Sequence, residues 1–145
     1  MPINIKIKRF DKSLPLPEYK TSGAAAMDLY ARETVTIQPH TVVQVPLNIA
    51  MEIPKEYWVL ISARSSLHKQ GVMLANGIGV GDSDYCGDGD EYRAALLNFT
   101  NKQVTIEKGD RICQMKILKR DGVELEEVEK LENKDRGGYG STGRK

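Results

Sequence analysis

Cysteine and histidine are both scarce in this chain, and each scarcity closes a route. The two cysteines, Cys86 and Cys113, make neither a disulfide framework nor a CxxC metal site, and they suit a reducing compartment. Two histidines, His40 and His68, give little material for a His-based zinc centre or a nucleophilic triad. Charge of one sign is missing too. A formal net charge of +1 supplies neither a basic nucleic-acid footprint nor an acidic disordered tail, so no nucleic-acid partner is expected. The chain is polar by Lys6 and has no apolar run long enough for a signal peptide or a membrane span. The expectation is a soluble, cytoplasmic protein with no membrane partner. At 145 residues it is one ordinary domain, long enough to bury about 68–70% of its unfolded surface.

What is present reads as strands. Ile3, Ile5 and Ile7 alternate with Asn4, Lys6 and Lys8, the period of a half-buried strand. Leu14-Pro15-Leu16-Pro17 forbids a helix and donates nothing to a ladder. The small-residue run from Gly23 to Ala31 is short and leads into β-branched sequence, so it reads as a tightly packed strand suited to close approach of backbones or subunits. Between Thr34 and Pro54 the aliphatics are punctuated by Pro39, Pro46 and Pro54, a spacing that predicts short strands of a sandwich or barrel. Trp58-Val59-Leu60-Ile61 is the most apolar strand. It runs into Ala63-Arg64-Ser65-Ser66-Leu67, where a short helix with a serine cap is expected. Strands follow over Arg93 to Phe99, Val104 to Ile106 and Arg111 to Ile117, the last with Ile112, Gln114 and Lys116 on one face. From Asp121 the chain turns charged and then glycine-rich, a composition that predicts a mobile tail.

Three stretches carry candidate chemistry. Gly77-Ile78-Gly79-Val80-Gly81 gives way to Asp82, Asp84 and Tyr85; glycine lets a flat ligand approach the backbone, and Asp82 is placed to hold a water or a metal beside it. The same stretch also reads as a tight hairpin with solvated acids. Arg64-Ser65-Ser66 offers a guanidinium, two hydroxyls and backbone amides that suit a phosphate, or simply a capped helix with a surface arginine. Arg136, Ser141 and Thr142 repeat that chemistry around Tyr139, in a segment that also reads as a linker. Together they suit a nucleoside polyphosphate: the glycine hairpin takes the base, the Arg-Ser groups take the phosphates, and the aromatic closes over the base. Five acids from Asp82 to Glu91 are placed to hold Mg²⁺ or to form a solvated loop.

These residues resemble a known family, the trimeric dUTP pyrophosphatases (dUTPases), over nearly the whole chain. Five motifs appear in order: Ala26-Met27-Asp28-Leu29-Tyr30-Ala31, then Arg64-Ser65-Ser66-Leu67, then Gly79-Val80-Gly81-Asp82-Ser83-Asp84-Tyr85, then Gly109-Asp110-Arg111-Ile112-Cys113-Gln114-Met115, and last Arg136-Gly137-Gly138-Tyr139-Gly140-Ser141-Thr142-Gly143. The resemblance implies an all-β, jelly-roll-like β domain over residues 1–130, with 131–145 as a flexible glycine-rich lid. It implies a homotrimer whose active sites are shared between subunits. It implies hydrolysis of dUTP to dUMP and pyrophosphate, which lowers dUTP and supplies dUMP for thymidylate synthesis. In that reading Asp82 activates the attacking water, and Tyr85 lies beneath the deoxyribose. Asn76, Gly79 and Val80 belong to the hairpin that reads uracil. Arg64, Ser65, Ser66 and Gln114 hold phosphates. Tyr139 of another subunit stacks on uracil while Arg136, Ser141 and Thr142 meet the β- and γ-phosphates, and Asp28 supports the site. Mg²⁺ is the implied cofactor, held mainly by substrate phosphates and waters rather than by protein ligands.

The chain departs from the family pattern in three places. Gly81 stands where an aliphatic usually precedes the aspartate, which predicts a looser hairpin. The link from Tyr85 to Arg93 is longer and more acidic than usual, and the spacing between Arg136 and Tyr139 is shorter. Two other readings stand beside this one: a dCTP deaminase relative, and a non-enzymatic nucleotide-binding jelly roll. The carboxylate-free segment Ala63 to His68 and the full tail motif speak against the first, and retention of Asp82, Tyr85, Arg136 and the Ser141-Thr142 pair against the second.

Overall fold

Short β-branched runs broken by proline and glycine produce eleven short strands among residues 2–145, which the computed structural model describes. They are β1 (Lys6–Arg9), β2 (Met27–Tyr30), β3 (Val35–Ile37), β4 (Val42–Pro46), β5 (Ile49–Glu52), β6 (Tyr57–Ala63), β7 (Val72–Leu74), β8 (Gly79–Gly81), β9 (Arg93–Asn98), β10 (Val104–Ile106) and β11 (Arg111–Lys119). All pairings are antiparallel. One sheet runs β2-β11-β6-β8 and another β4-β9-β7, with β1-β5 and β3-β10 as two-stranded ladders. This is the all-β fold that the strand pattern predicts, in the jelly-roll-like form that the family resemblance implies.

The ladders close on one apolar core. Leu29, Ile37, Val45, Val59, Leu96, Ile106 and Ile112 are fully buried within it. Each such side chain contributes about 1.5–3 kcal/mol by leaving water, so the core outweighs any single polar contact. Cys113 lies in this core, and burial pushes its thiol up to about 12, whereas Cys86 is exposed. Among the described residues no helix is long and apolar enough to cross a membrane.

Several expectations are corrected in detail. The first strand begins at Lys6, not Ile3, because only residues 6–9 face a partner, in β5; Ile3 is exposed. Ala24, Ala25 and Ala26 lie outside β2, whose pairing with β11 stops at Met27, so the tight strand read from Gly23 onward is only four residues long. The helix after Ser66 is a single 3-10 turn, Leu67–Gln70, and the Ser66 hydroxyl makes no capping bond. Strict alternation in β11 fails at a register shift between Arg111 and Cys113, which buries Ile112 and Cys113 in succession. Nor is the glycine stretch a hairpin of two paired strands: β7 pairs with β9 and β8 with β6, so the turn at Gly77 carries the chain from one sheet to another. Gly77 needs glycine there, at φ +74°.

Arg120 donates its backbone N–H to the Glu56 carbonyl at 2.7 Å. From 121 to 145 the chain forms no strand and is exposed throughout. Its own turns, Ser141 N–H to Gly138 O at 3.1 Å and Gly143 N–H to Gly140 O at 3.0 Å, are local.

Candidate functional site

Strand β8 is the outer strand of its sheet, paired on one side only: Gly79 opposite Ile61, Val80 opposite Leu60, Gly81 opposite Val59. Its free edge therefore presents unpaired N–H and C=O groups, the property that makes an edge strand a template for a planar hydrogen-bonding partner. Gly79 and Gly81 add no side chain to obstruct approach, and Val80 points outward, 62% exposed. Asp82 is the first residue past this strand, and the turn that follows is closed by Tyr85 N–H to Asp82 O at 3.2 Å. A cleft of about 370 Å³ lies here, lined by Asn76, Gly79, Val80, Asp82 and Tyr85. Five residues singled out in the sequence thus share one cavity.

The cleft is held by residues that sequence reading did not select. Tyr85 donates its hydroxyl hydrogen to the Glu91 carbonyl at 2.8 Å and meets the Tyr92 ring edge-on, centroids 5.4 Å apart at 77°. The Glu91 carboxylate is buried and takes two charge-assisted bonds from Arg32, at 2.7 and 2.9 Å, and one from the Asn48 N–H at 2.9 Å. Glu91, read only as one of a run of acids, is a buried anchor, while Asp90 accepts from the Gly87 N–H and Asp88 pairs with Lys8. Tyr92 is buried, its hydroxyl has no protein partner among the described residues, and burial pushes its ionisation up to about 12, aided by nearby Tyr85 and Asp82. Gln44 and Arg93 complete the far wall. The available signal was Glu91-Tyr92 closing an acidic stretch directly before a strand, where an aromatic is more often packed than free.

The aliphatic missing at position 81 does not loosen the strand. A Cβ built on Gly81 would stand 2.8 Å from Tyr92 Cε1, 2.9 Å from its hydroxyl and 3.0 Å from Val59 Cβ. The Tyr92 ring already occupies that volume.

A second cluster assembles across β2, β6 and β11. Asp28 is flanked by Arg64, Nε to Oδ1 3.2 Å, and Arg111, Nη1 to Oδ2 3.0 Å. Arg64 also donates from Nη1 to the Arg111 carbonyl at 3.2 Å. Two guanidiniums against one carboxylate leave a net positive site, and Arg64 has donors to spare for an anion. Gln114 lies alongside, its amide donating to Ser62 Oγ and the Ala63 carbonyl, both at 3.3 Å. Asp28 and Gln114 line a separate cavity of about 440 Å³ with Lys20 and Lys116. Ser65 and Ser66 follow Arg64, the first exposed and the second half-buried.

The chain thus brings the sequence candidates together in two groups, not one. Arg136, Tyr139, Ser141 and Thr142 join neither; the tail is exposed, and Tyr139 stands at φ +51°. Among the described residues no three of His, Cys, Asp or Glu converge as a metal site.

A family model described as dUTPase matches residues 12–143. The deoxyuridine 5'-triphosphate nucleotidohydrolase of Finegoldia magna is 41% identical, covering 96% of this chain and 99% of that protein. The structure of Staphylococcus bacteriophage 80alpha dUTPase with dUPNHPP superposes with a TM-score of 0.84 over 97% of this chain and 99% of that one, at 23% identity. A dUTPase mutant from phage phi11 of S. aureus, described for its coordination of a structural Mg(II) ion, superposes with a TM-score of 0.79 over 90% and 100%, at 19% identity.

Proposed function

The chain belongs to the dUTPase family, and from that premise we propose how its residues hydrolyse dUTP to dUMP and pyrophosphate, lowering dUTP and supplying dUMP for thymidylate synthesis. The observation that carries the reading is the cleft in which a one-sided glycine strand ends at Asp82 with Tyr85 opposite. Uracil is planar, with its donors and acceptors on its rim, so the free edge of Gly79-Val80-Gly81, together with Asn76, reads it. Tyr85 lies under the deoxyribose. Asp82 takes the proton of the water that attacks the α-phosphorus in line, a role usually worth about 10²–10⁴-fold.

The phosphates need cations and donors, and the positive site at Asp28, Arg64 and Arg111 with Gln114 is the place for them. Ser65 and Ser66 add hydroxyls. Asp28 itself supports this site by orienting the two guanidiniums. Because that site and the cleft open into different cavities of one chain, a complete active site combines surfaces of neighbouring copies, which is the basis for a homotrimer. The exposed tail, 131–145, is the lid over the β domain of 1–130: Tyr139 of another copy stacks on uracil, and Arg136, Ser141 and Thr142 meet the β- and γ-phosphates. The reading places the protein in the cytoplasm.

Mg²⁺ fits this donor set as a substrate-borne ion, since both Asp28 oxygens are engaged by arginines and no three protein ligands converge among the described residues. When bound it neutralises charge on the triphosphate. The arginines and serines stabilise the charge that develops on the leaving pyrophosphate.

The test is pyrophosphate release in Mg²⁺ buffer from dUTP, dCTP, dTTP and UTP. Release from dUTP alone is expected. Release from dCTP as well would point to a dCTP deaminase relative, and release from none would leave a nucleotide-binding jelly roll without activity.

A further inference from the structure

The residues between Tyr85 and Arg93 take no part in the chemistry above, yet the last two of them, Glu91 and Tyr92, reach back to line the cleft. Glu91 accepts the Tyr85 hydroxyl hydrogen through its carbonyl, and its side chain is fixed by Arg32 and Asn48. Tyr92 meets the Tyr85 ring edge-on and fills the volume that a side chain at position 81 would take. Tyr85 is therefore held at its hydroxyl by one residue and at its ring by the next. Edge-to-face packing is directional, so the contact favours one tilt of the ring over others.

We propose that Tyr92 is a positioning residue for sugar selection: it stands in for a side chain at 81 and holds the Tyr85 ring where a deoxyribose fits and a ribose 2'-hydroxyl does not. The inference rests on the placement of Tyr85 under the sugar. Discrimination here turns on the room of one oxygen atom, and a ring free to tilt supplies that room. The hydroxyl of Tyr92 has no protein partner among the described residues, so the positioning falls to the ring.

The experiment compares kcat/KM for dUTP and UTP in the wild type and in Y92L, Y92F, G81A and the double variant G81V/Y92L, with affinities for the imido analogues of both nucleotides measured by calorimetry. Y92L is expected to lower the dUTP/UTP ratio about tenfold, the size that an aromatic pair supports. G81A leaves the core filled but displaces the ring, and should lower the ratio in the same direction. Y92F keeps the ring and the ratio, and G81V/Y92L refills the space from the strand side and recovers it. An unchanged ratio in both Y92L and G81A, with wild-type circular dichroism, overturns the proposal while leaving the reaction intact. A wild type that does not prefer dUTP to UTP removes the reading of Tyr85, and this inference with it.

Discussion

Replacing Arg32 by methionine should unfold the protein far more readily than any surface charge change. Glu91 is 4% exposed at its side chain, and Arg32, at 27%, supplies two of its three hydrogen bonds. Removing one partner of a buried pair leaves a charge with neither water nor counter-ion, at a cost of about 3–5 kcal/mol. That is a large share of the roughly 5–15 kcal/mol that holds a domain folded. With unfolding entropy near 2.1 cal/mol/K per residue, the 145-residue chain loses about 3 °C for each kcal/mol, so R32M should melt about 10–16 °C lower. Urea unfolding at fixed protein concentration gives the free energy directly. R32M/E91Q, which removes both charges and keeps an acceptor for the Asn48 N–H, should recover most of the loss, since the penalty belongs to the orphaned charge. A loss in R32M below about 1 kcal/mol, the ordinary worth of an exposed ion pair, would refute the reasoning and show that water reaches Glu91.

Asp82→Asn should lower the rate of pyrophosphate release by about 10²–10⁴-fold while the imido analogue of dUTP binds nearly as before; equal losses in rate and affinity would remove Asp82 from the role of base. Deleting 136–145 should abolish turnover without lowering the melting temperature, because the last bond from the tail to the body that precedes it is at Arg120; an active truncated protein would end the lid assignment. Tyr92 stays protonated in the fold up to about 12 but ionises near 10 when unfolded, so its contribution is complete below pH 10 and is lost as pH rises towards 12. Y92F should therefore lose less stability than the wild type between those values in alkaline urea titrations, and should be at least as stable at neutral pH, since it buries no orphan hydroxyl. Cys113, raised to a similar value, leaves a residual alkaline loss in both proteins.

What could be read in the sequence was what is local in the sequence. Asn76, Gly79, Val80, Asp82 and Tyr85 lie within ten residues, so one turn and one short strand carry them all to the same cleft. Arg64 and Arg111 converge on Asp28 only through the pairing of β2, β6 and β11, so their shared role as a positive site was out of reach. Gly81 shows the same limit from the other side. Its missing side chain suggested slack, because nothing in the local pattern says that Tyr92, eleven positions on and outside β8, fills the gap. The turn at Gly77 signalled a reversal correctly but not its destination, since turn chemistry does not say whether the next strand joins the same sheet. The bulge in β11 likewise broke an alternation that depends on unbroken pairing.

The contrast between the two cysteines has a practical use. Cys113 is sealed in the core with its thiol pushed up to about 12, and Cys86 is exposed directly after Tyr85. Thiolate-selective reagents will meet only Cys86 in the folded protein. The sequence therefore carries one exposed thiol a residue from the cleft, where a fluorophore or spin label would test nucleotide binding and the proposed lid closure without any cysteine being added or removed.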